Sequence, residues 1–485
     1  MNESDVKGLE LGMVFRAPLD AGYVPCALWN RAVERLAGMA GDEPLVVALE
    51  GEGGRVSRYE ARVASRPGAQ DLRYVERLVK MLLWARGGWK LSLAGPAAVV
   101  DHVVREYGPG GARAFDAGNM AKAYGRPLVV ERVALGEVPA GQESGRAQGG
   151  HLAGCRIGFD LGASDFKLAA VVDGEVVWAH EIPWDPKNQA DPDYHYRHLA
   201  DGLRVAASHL PRVDAIGGSS AGIIVDNEFR VASLLRSVPA ERYGEAQQLF
   251  RRLQREWQVP LEVANDGDVT ALAGAMSLGE NGVLGVAMGS SEAAGYVDGR
   301  GQMTGWLSEL AFAPVDMNPE AAVEEWSGDR GVGALYFSQQ AVNRLLPAAG
   351  IVLPEGMGLP ERLKEVQQLM AAGDERAQRI YESIGVYLGY TVPYYADFYD
   401  FRHLLILGRV TTGAGGDIIL GKARDVLAAE YPELAARISV QLPDEKSRRV
   451  GQAVAAASLP SVPLETAPFP VIRHHSASEI RDHHP

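Results

Sequence analysis

The stretch VANDGDVTALAGA (263–275) places a carboxamide and two carboxylates within four residues, where a predicted strand gives way to an alanine-rich helix. A carboxylate held rigidly at such a junction can act as a general base in a cleft. An Asp at the start of a helix can also be structural, because its side chain caps the free backbone N–H groups. The residues alone leave both interpretations open for Asp266 and Asp268.

Two glycine- and serine-rich hairpins could bind phosphate. In GFDLGASDFK (158–167) a strand ends in Asp160, and a tight turn leads into a second strand. AMGSSEAAGYVDG (287–299) repeats this pattern. Backbone N–H groups in such turns can surround a phosphate. In the first hairpin, Asp160 could also hold Mg²⁺ through water. Taken singly, each hairpin is more typical of an ordinary turn.

A fourth motif, LGRVTTGAGG (407–416), is a predicted strand followed by a loop rich in glycine and threonine that opens a helix. Such a loop can pack against the base or sugar of a nucleotide, and the alternative is again a helix cap. The order of the four motifs along the chain is far more specific than any one of them.

In this order the motifs resemble those of the superfold shared by sugar kinases, heat-shock proteins and actin. Within it they resemble the ROK family of sugar kinases and repressors. The resemblance covers about 154–458 and ends with SRRVGQAVAAA (447–457), which is similar to the last helix of ROK proteins. It implies an α/β fold with the two-lobed architecture of actin-like ATPases (ribonuclease H-like). The two lobes would span 154–275 and 276–460.

The resemblance also implies a function: an ATP-dependent kinase that phosphorylates a hexose or hexose derivative, with ATP and Mg²⁺ as cofactors. Asp266 would accept the proton of the sugar hydroxyl, Asn265 and Glu309 would orient the sugar, and Asp160 would hold Mg²⁺ through water. The residues expected beside the nucleotide are Asp160, Gly162, Ser164, Gly289, Ser290, Ser291, Gly408, Thr412, Gly413 and Gly415. The alternatives are a catalytically weak sugar- or nucleotide-binding sensor or regulator, and an ATPase that acts on a protein partner.

The segment EWSGDRGVGALYFS (325–338) resembles the zinc loop of ROK kinases, which bind a structural zinc through one His and three Cys. The corresponding positions here are Phe312, Glu325, Ser327 and Val332. The loss of the whole ligand set predicts a protein without structural zinc, because a partial set would leave buried ligands unpaired. Packing of Phe312, Trp326 and Val332 is expected to hold the loop instead.

One of these substitutions, and a further one at position 334, also touch the expected sugar pocket. Phe312 and Ala334 replace a His and a Glu with which family members hold the sugar. Each lost hydrogen bond to a charged group is worth about 1.5–3 kcal/mol. This argues against glucose binding in the family's manner and leaves a different sugar open.

The region before the resemblance predicts a separate unit. Residues 1–135 read as a small α/β domain, with two strands around a glycine-rich turn in 45–63 and a helix over 71–86. GEVPAGQESGRAQGGHLA (136–153) has the composition of a linker. The polar, His-rich end of the chain, 461–485, is expected to be a tail.

Composition limits the partners. The net charge is −14, and residues 1–150 carry 19 basic and 18 acidic side chains, which leaves 29 and 44 for the rest. Nucleic-acid binding needs clustered Lys and Arg. The Arg-rich RVSRYEARVASR (55–66) could imitate the wing of a winged helix-turn-helix, but no two-helix pattern precedes it. We therefore expect no nucleic-acid partner.

The chain shows no signal-peptide pattern, no apolar run of membrane-spanning length and two widely separated cysteines, Cys26 and Cys155. Reduced cysteines are typical of the cytosol. We expect a cytoplasmic protein without a membrane partner, a small-molecule sugar as its ligand and a possible homodimer.

Overall fold

The computed structural model describes residues 9, 11–143, 149–162, 165–443 and 447–462. Ser164 and almost all of the predicted tail lie outside the described residues. Below, "N-terminal unit" means 11–135, "first lobe" 154–275 and "second lobe" 276–460. These boundaries are those expected from the sequence.

The strands form three mixed or antiparallel sheets and one short hairpin. They are β1 Asp42–Glu50, β2 Val56–Ala64, β3 Lys90–Ala94, β4 Val129–Arg132, β5 Cys155–Leu161, β6 Asp165–Val172, β7 Glu175–Pro183, β8 Ala215–Ser220, β9 Ile223–Val225, β10 Glu228–Val231, β11 Leu261–Asn265, β12 Val283–Met288, β13 Glu292–Val297, β14 His403–Leu407 and β15 Ser439–Gln441.

Helices cover these sheets and connect them. They are α1 Cys26–Ala40, α2 Ala69–Arg86, α3 Ala97–Tyr107, α4 Ala114–Tyr124, α5 Pro192–Ala207, α6 Tyr243–Gln247, α7 Leu249–Trp257, α8 Asp266–Leu278, α9 Gln339–Ala349, α10 Leu359–Ala371, α11 Glu375–Ala396, α12 Ala414–Glu430, α13 Pro432–Ala435 and α14 Ser447–Ala457. No helix of the described residues is both long and apolar enough to cross a membrane.

The first lobe is built on a five-stranded sheet in the order β11-β8-β5-β6-β7. β5, β6 and β7 are antiparallel neighbours, whereas β8 and β11 run parallel to β5. The last helix, α14, returns to lie against this sheet. A Cβ atom at Gly158 or Gly217 would come within 1.8 or 1.7 Å of a carbonyl oxygen of α14, so this close packing requires glycine at both positions.

The second lobe has a four-stranded sheet in the order β13-β12-β14-β15, in which β12, β14 and β15 run parallel. Helix α8 joins the two lobes, since it begins at the end of β11 and packs on β12 and β13. Its first turn lies very close to β13: a Cβ atom at Gly295 would lie 2.1 Å from the carbonyl carbon of Gly267. The junction of β11 and α8 is thereby fixed between the lobes.

The N-terminal unit is a four-stranded sheet, β2-β1-β3-β4, covered by helices, and its strands around the turn at 51–55 are those predicted. Its apolar side chains form one continuous core with those of the second lobe. The ring of Tyr23 lies 4.7 Å from that of Tyr387, and the ring of Tyr59 stacks on Phe398 at 5.2 Å. The sequence pattern gave no sign of this shared core.

Some elements could not be expected from local patterns. Ahead of α9 the chain makes turns with positive φ at Gly328 and Gly331 and a short 3-10 helix over Gly333–Leu335. Helices α1 and α4 were not predicted. Both lie in segments whose apolar residues pack against neighbouring units, a requirement that local periodicity does not reveal.

Candidate active site

The junction of β11 and α8 carries the residues predicted to do chemistry. The chain is extended at Asn265 and becomes helical at Asp266, so Asn265 is the N-cap, and its Oδ1 accepts the N–H of Gly267 at 2.7 Å. Its Nδ2 donates to the carbonyl oxygen of Gly222 at 2.9 Å. Asn265 thus occupies the N-cap position, and Asp266 Oδ1 also accepts the N–H of Gly267 at 3.0 Å, whereas Asp268 accepts from Tyr296 outside the helix.

Asp266 is half-buried and lies near a buried carboxylate of the first lobe, Asp160. Asp160 is the next-to-last residue of β5 and pairs with Ser219 of β8, whose hydroxyl donates to its Oδ1 at 2.7 Å. Burial raises the pKa of Asp160, partly offset by this hydrogen bond. Burial and the charge of Asp160 raise the pKa of Asp266 to about 6. A carboxylate with such a pKa is ionised at neutral pH and still basic enough to accept a proton.

Glu309 and Asp268 complete the group of acids. Burial, with the charges of Asp266 and Asp268, raises the pKa of Glu309 to about 7. Burial likewise raises the pKa of Asp268 to about 7, although the backbone N–H of Tyr296 donates to its Oδ1 at 3.2 Å. The backbone N–H of Glu309 donates to the carbonyl of Trp84 at 2.9 Å, so the N-terminal unit helps to position it.

A cavity of about 590 Å³ lies beside these acids and is lined by all three parts of the chain. Asn265 and Asp268 come from the first lobe, Glu309 from the second, and Arg55 and Tyr124 from the N-terminal unit. Asp266 itself is not among the lining residues. The cavity thus joins the expected sugar-orienting residues to a wall that the sequence did not predict.

The second glycine–serine hairpin forms as predicted between β12 and β13, where the N–H of Gly289 donates to the carbonyl of Ser291 at 3.0 Å. Glu292 follows directly and is buried. Burial raises its pKa to about 8, and the hydroxyl of Tyr395 donates to it at 3.2 Å. Glu292 is therefore mostly neutral at pH 7 and does not repel an anion bound at the hairpin.

The glycine-rich loop lies against this hairpin, because β12 and β14 are parallel neighbours. A Cβ atom at Gly408 would lie 2.6 Å from the carbonyl oxygen of Met288, and φ there is +99°. Gly413 begins α12 with φ of +67°, and Thr412 accepts a hydrogen bond from Gln367 at 2.8 Å. Gly415 packs on Tyr381, a structural reason for glycine at that position.

In the first hairpin the N–H of Gly162 donates to the carbonyl of Asp165 at 3.0 Å. This hairpin belongs to the first lobe, opposite the second hairpin and the glycine-rich loop. The predicted nucleotide residues thus fall on two lobes, and none of them lines the 590 Å³ cavity. Whether they bind ATP stays a prediction, as does the sugar-binding role of Asn265 and Glu309.

The residues present are compatible with Mg²⁺ carried by a nucleotide. Among the described residues, no group of three or more His, Cys, Asp or Glu side chains is arranged to hold a metal ion. Nucleotide-bound Mg²⁺ does not need one, since it keeps several waters and takes one or two carboxylates together with phosphate oxygens. Asp160 offers such a carboxylate, with only its Oδ1 engaged by Ser219.

The zinc-like loop is held partly as expected. Val332 is fully buried, and the ring of Phe312 lies 4.5 Å from Trp84 of the N-terminal unit. Trp326 is 65% exposed, but its ring edge meets Phe312 at 5.3 Å. Whether the protein lacks zinc stays a prediction.

An ion cluster that the sequence did not reveal also holds this loop. Asp329 lies 2.6 Å from Arg77, 3.1 Å from Lys80 and 2.8 Å from Arg113, all in the N-terminal unit. Burial alone would raise the pKa of Asp329, but the three cations outweigh it and hold that pKa well below its usual range. The cations come from positions more than 200 residues earlier, so no local pattern could have indicated them.

Solved structures with a similar fold include ROK proteins. A ROK family transcriptional regulator, a homologue of the E. coli MLC protein, gives a TM-score of 0.50 at 17% identity, with 75% of this chain and 88% of that chain covered. The ROK hexokinase of Thermus thermophilus gives 0.49 at 18% identity, covering 62% and 96%. The ROK glucokinase of Streptomyces griseus, solved with glucose and AMPPNP, gives 0.47 at 18% identity, covering 63% and 98%.

Models of protein families and curated proteins gave no match to the sequence. The chain nevertheless has a mixed α/β fold of ROK type, the two-lobed architecture of actin-like ATPases. The fold class and the resemblance expected from the motifs are confirmed. At 17% identity, the similarity establishes the fold and leaves the activity to be argued from the site.

Proposed function

We propose that the protein is an ATP-dependent kinase that phosphorylates a hydroxyl group of a hexose or hexose derivative. The observation that carries this proposal is Asp266, a half-buried carboxylate with a raised pKa at the junction of the two lobes, next to a cavity that is partly open to solvent. Two glycine–serine hairpins on opposite lobes and the glycine-rich loop support it. Sequence motifs and geometry thus favour the same chemistry.

In this mechanism Asp266 accepts the proton of the attacking hydroxyl. Asn265, fixed by its two hydrogen bonds, and Glu309 orient the sugar. Asp160 would hold Mg²⁺ through water, and the hairpin and loop residues would contact the nucleotide, which would supply the phosphoryl group. Positioning inside the cleft provides most of the catalysis, as in phosphoryl transfer generally.

The test is Asp266→Asn, which preserves size but cannot accept the proton. We expect transfer from ATP to fall about 10²- to 10⁴-fold with nearly unchanged nucleotide affinity. In the wild type, the rate should rise as pH increases through about 6, where Asp266 loses its proton. Asp201→Asn, at a 72% exposed side chain outside the site, is the matched control. Unchanged turnover in Asp266→Asn would exclude Asp266 from the mechanism.

A second candidate is a catalytically weak sensor or regulator. It is favoured by Phe312, which by resemblance occupies a sugar-contacting position but here packs on Trp84. This candidate predicts saturable sugar or nucleotide binding without transfer. A screen of hexoses, N-acyl hexosamines and their epimers with ATP and Mg²⁺ separates the two. The cytoplasmic location, absence of a nucleic-acid partner and possible homodimer remain predictions.

A further inference from the structure

The charges around the 590 Å³ cavity are unevenly compensated. The two arginines among its lining residues are both engaged with the protein. Arg55 donates to the carbonyl oxygens of Arg86 and Gly87 at 2.8 and 3.0 Å. Arg251 forms an ion pair with Glu228 at 2.9 Å. Neither cation is paired with the acids beside the candidate catalytic residue.

Those acids have no cation of their own. The Glu309 carboxylate accepts no hydrogen bond from any described residue, and the charged groups that act on it are Asp266 and Asp268. Asp268 accepts a hydrogen bond from a backbone N–H, and the charge of Asp266 that acts on it is repulsive. The buried Glu292 near Glu309 adds no charge to the cavity, because it is mostly neutral at pH 7 and is not among the lining residues. A neutral sugar would leave this excess of negative charge in place.

Carboxylates partly removed from water are stabilised in ionised form by hydrogen-bond donors or by a nearby cation, and few donors are present here. The described residues offer no cluster of three ligands for a metal ion at this position. An ammonium group needs less, since its N–H donors can be shared between two carboxylates without a fixed coordination geometry. A protonated amine on the substrate would meet this requirement.

We propose that the cavity binds an amino sugar with a free, protonated amine, whose ammonium group lies between Asp268 and Glu309. The proposal rests on the sugar-binding role assigned to this cavity above. An amine comparable to an α-amino group, with a pKa of about 7.7–8.0, is mostly protonated at pH 7. An N-acetylated sugar carries a neutral amide at the same position and leaves both carboxylates uncompensated.

The experiment compares three matched probes at pH 7 by calorimetric titration of the full chain: glucosamine, glucose and N-acetylglucosamine. Mannosamine and galactosamine, each with its hydroxyl and N-acetyl analogues, extend the series to other epimers. We expect at least one free amino sugar to bind about 10- to 100-fold tighter than both of its analogues, the range typical of a charge-assisted contact. The double variant Asp268→Asn/Glu309→Gln should lose that preference, and Asp201→Asn should keep it.

Equal or tighter binding of the neutral analogues in every series would overturn the inference, as would a preference that survives in the double variant. Binding is measured without ATP, so the result is independent of catalysis. If an amino sugar binds selectively but is not phosphorylated, the inference stands and the kinase proposal fails. If only neutral hexoses bind and are phosphorylated, the kinase proposal stands and this inference fails.

Discussion

At the scale of single residues, the site combines acids whose raised pKa values have one dominant cause. Burial is the largest contribution for Asp266, Asp268 and Glu309, and mutual repulsion adds to it. Both Asp266 and Asp268 lie in the first turn of α8, where free N–H groups partly offset negative charge. The arrangement keeps a basic carboxylate at the cleft. It also lowers the stability of the folded protein when the acids of the empty site are all ionised.

This cost predicts how stability depends on pH at Asp268. Because its folded pKa of about 7 lies above the unfolded value of about 3.9, protonation stabilises the folded state at low pH, and this stabilisation is lost as pH rises through 7. Asp268→Asn removes the titration and keeps an acceptor for the Tyr296 N–H. We expect the variant to be more stable than wild type at pH 8, by about 1–3 kcal/mol, with little gain at pH 4.

Urea unfolding at the two pH values measures the difference, with the exposed Asp201→Asn as control. A variant that is destabilised more at pH 8 than at pH 4 would mean that the ionised Asp268 carboxylate has a favourable partner in the folded protein. The same loss would count against an uncompensated cavity.

At the scale of elements, the sequence predicted the parts whose signal is local. The hairpin β12–β13 and helix α2 follow from turn residues and apolar periodicity, whereas the final helix α14 was expected from the family resemblance. The strand–helix junction at Asn265 followed from the same rules, and with it the position of Asp266. The wall formed by Arg55 and Tyr124 did not, because it depends on how distant units pack.

The zinc-like loop illustrates this limit. Its missing ligands are evident from residues 308–334, yet its replacement support, Arg77, Lys80 and Arg113 around Asp329, belongs to another unit. Removing one member of a buried ionic group typically costs about 3–5 kcal/mol. Here Arg77 would lose its ion-pair partner, while Lys80 and Arg113 keep Asp116 and Glu76. We therefore expect Asp329→Asn to lower the free energy of unfolding by an amount in this range near pH 7.

The depressed pKa of Asp329 fixes the sign of the pH effect. Its stabilisation is present above the unfolded pKa of about 3.9 and is lost as pH falls below it. The difference between wild type and Asp329→Asn should therefore shrink in acid, as followed by urea midpoints at pH 3 and pH 7. A wild-type midpoint for the variant at pH 7 would show that aromatic packing alone holds the loop.

At the scale of the whole molecule, the N-terminal unit is bound to the second lobe by more than a surface contact. Trp29, Trp84 and Tyr74 are almost fully buried in a core that also contains Tyr387 and Tyr394. Asp20 adds an ion pair with Arg344 at 2.8 Å. Each large apolar side chain buried in this way contributes about 1.5–3 kcal/mol. The second lobe is therefore expected to depend on the N-terminal unit for its stability.

This dependence predicts the behaviour of fragments. A fragment of residues 149–462 alone should be insoluble or unfold without a cooperative transition, because it exposes the apolar face that the N-terminal unit covers. Producing residues 1–143 and 149–462 together as two chains should restore a stable complex, because the contacts do not require the peptide connection. Size-exclusion chromatography and thermal melts of the single fragment and the pair measure this. A soluble 149–462 fragment that melts like the full chain would contradict this expectation. It would show that the two lobes fold without the N-terminal unit, which would then contribute only a wall of the cavity.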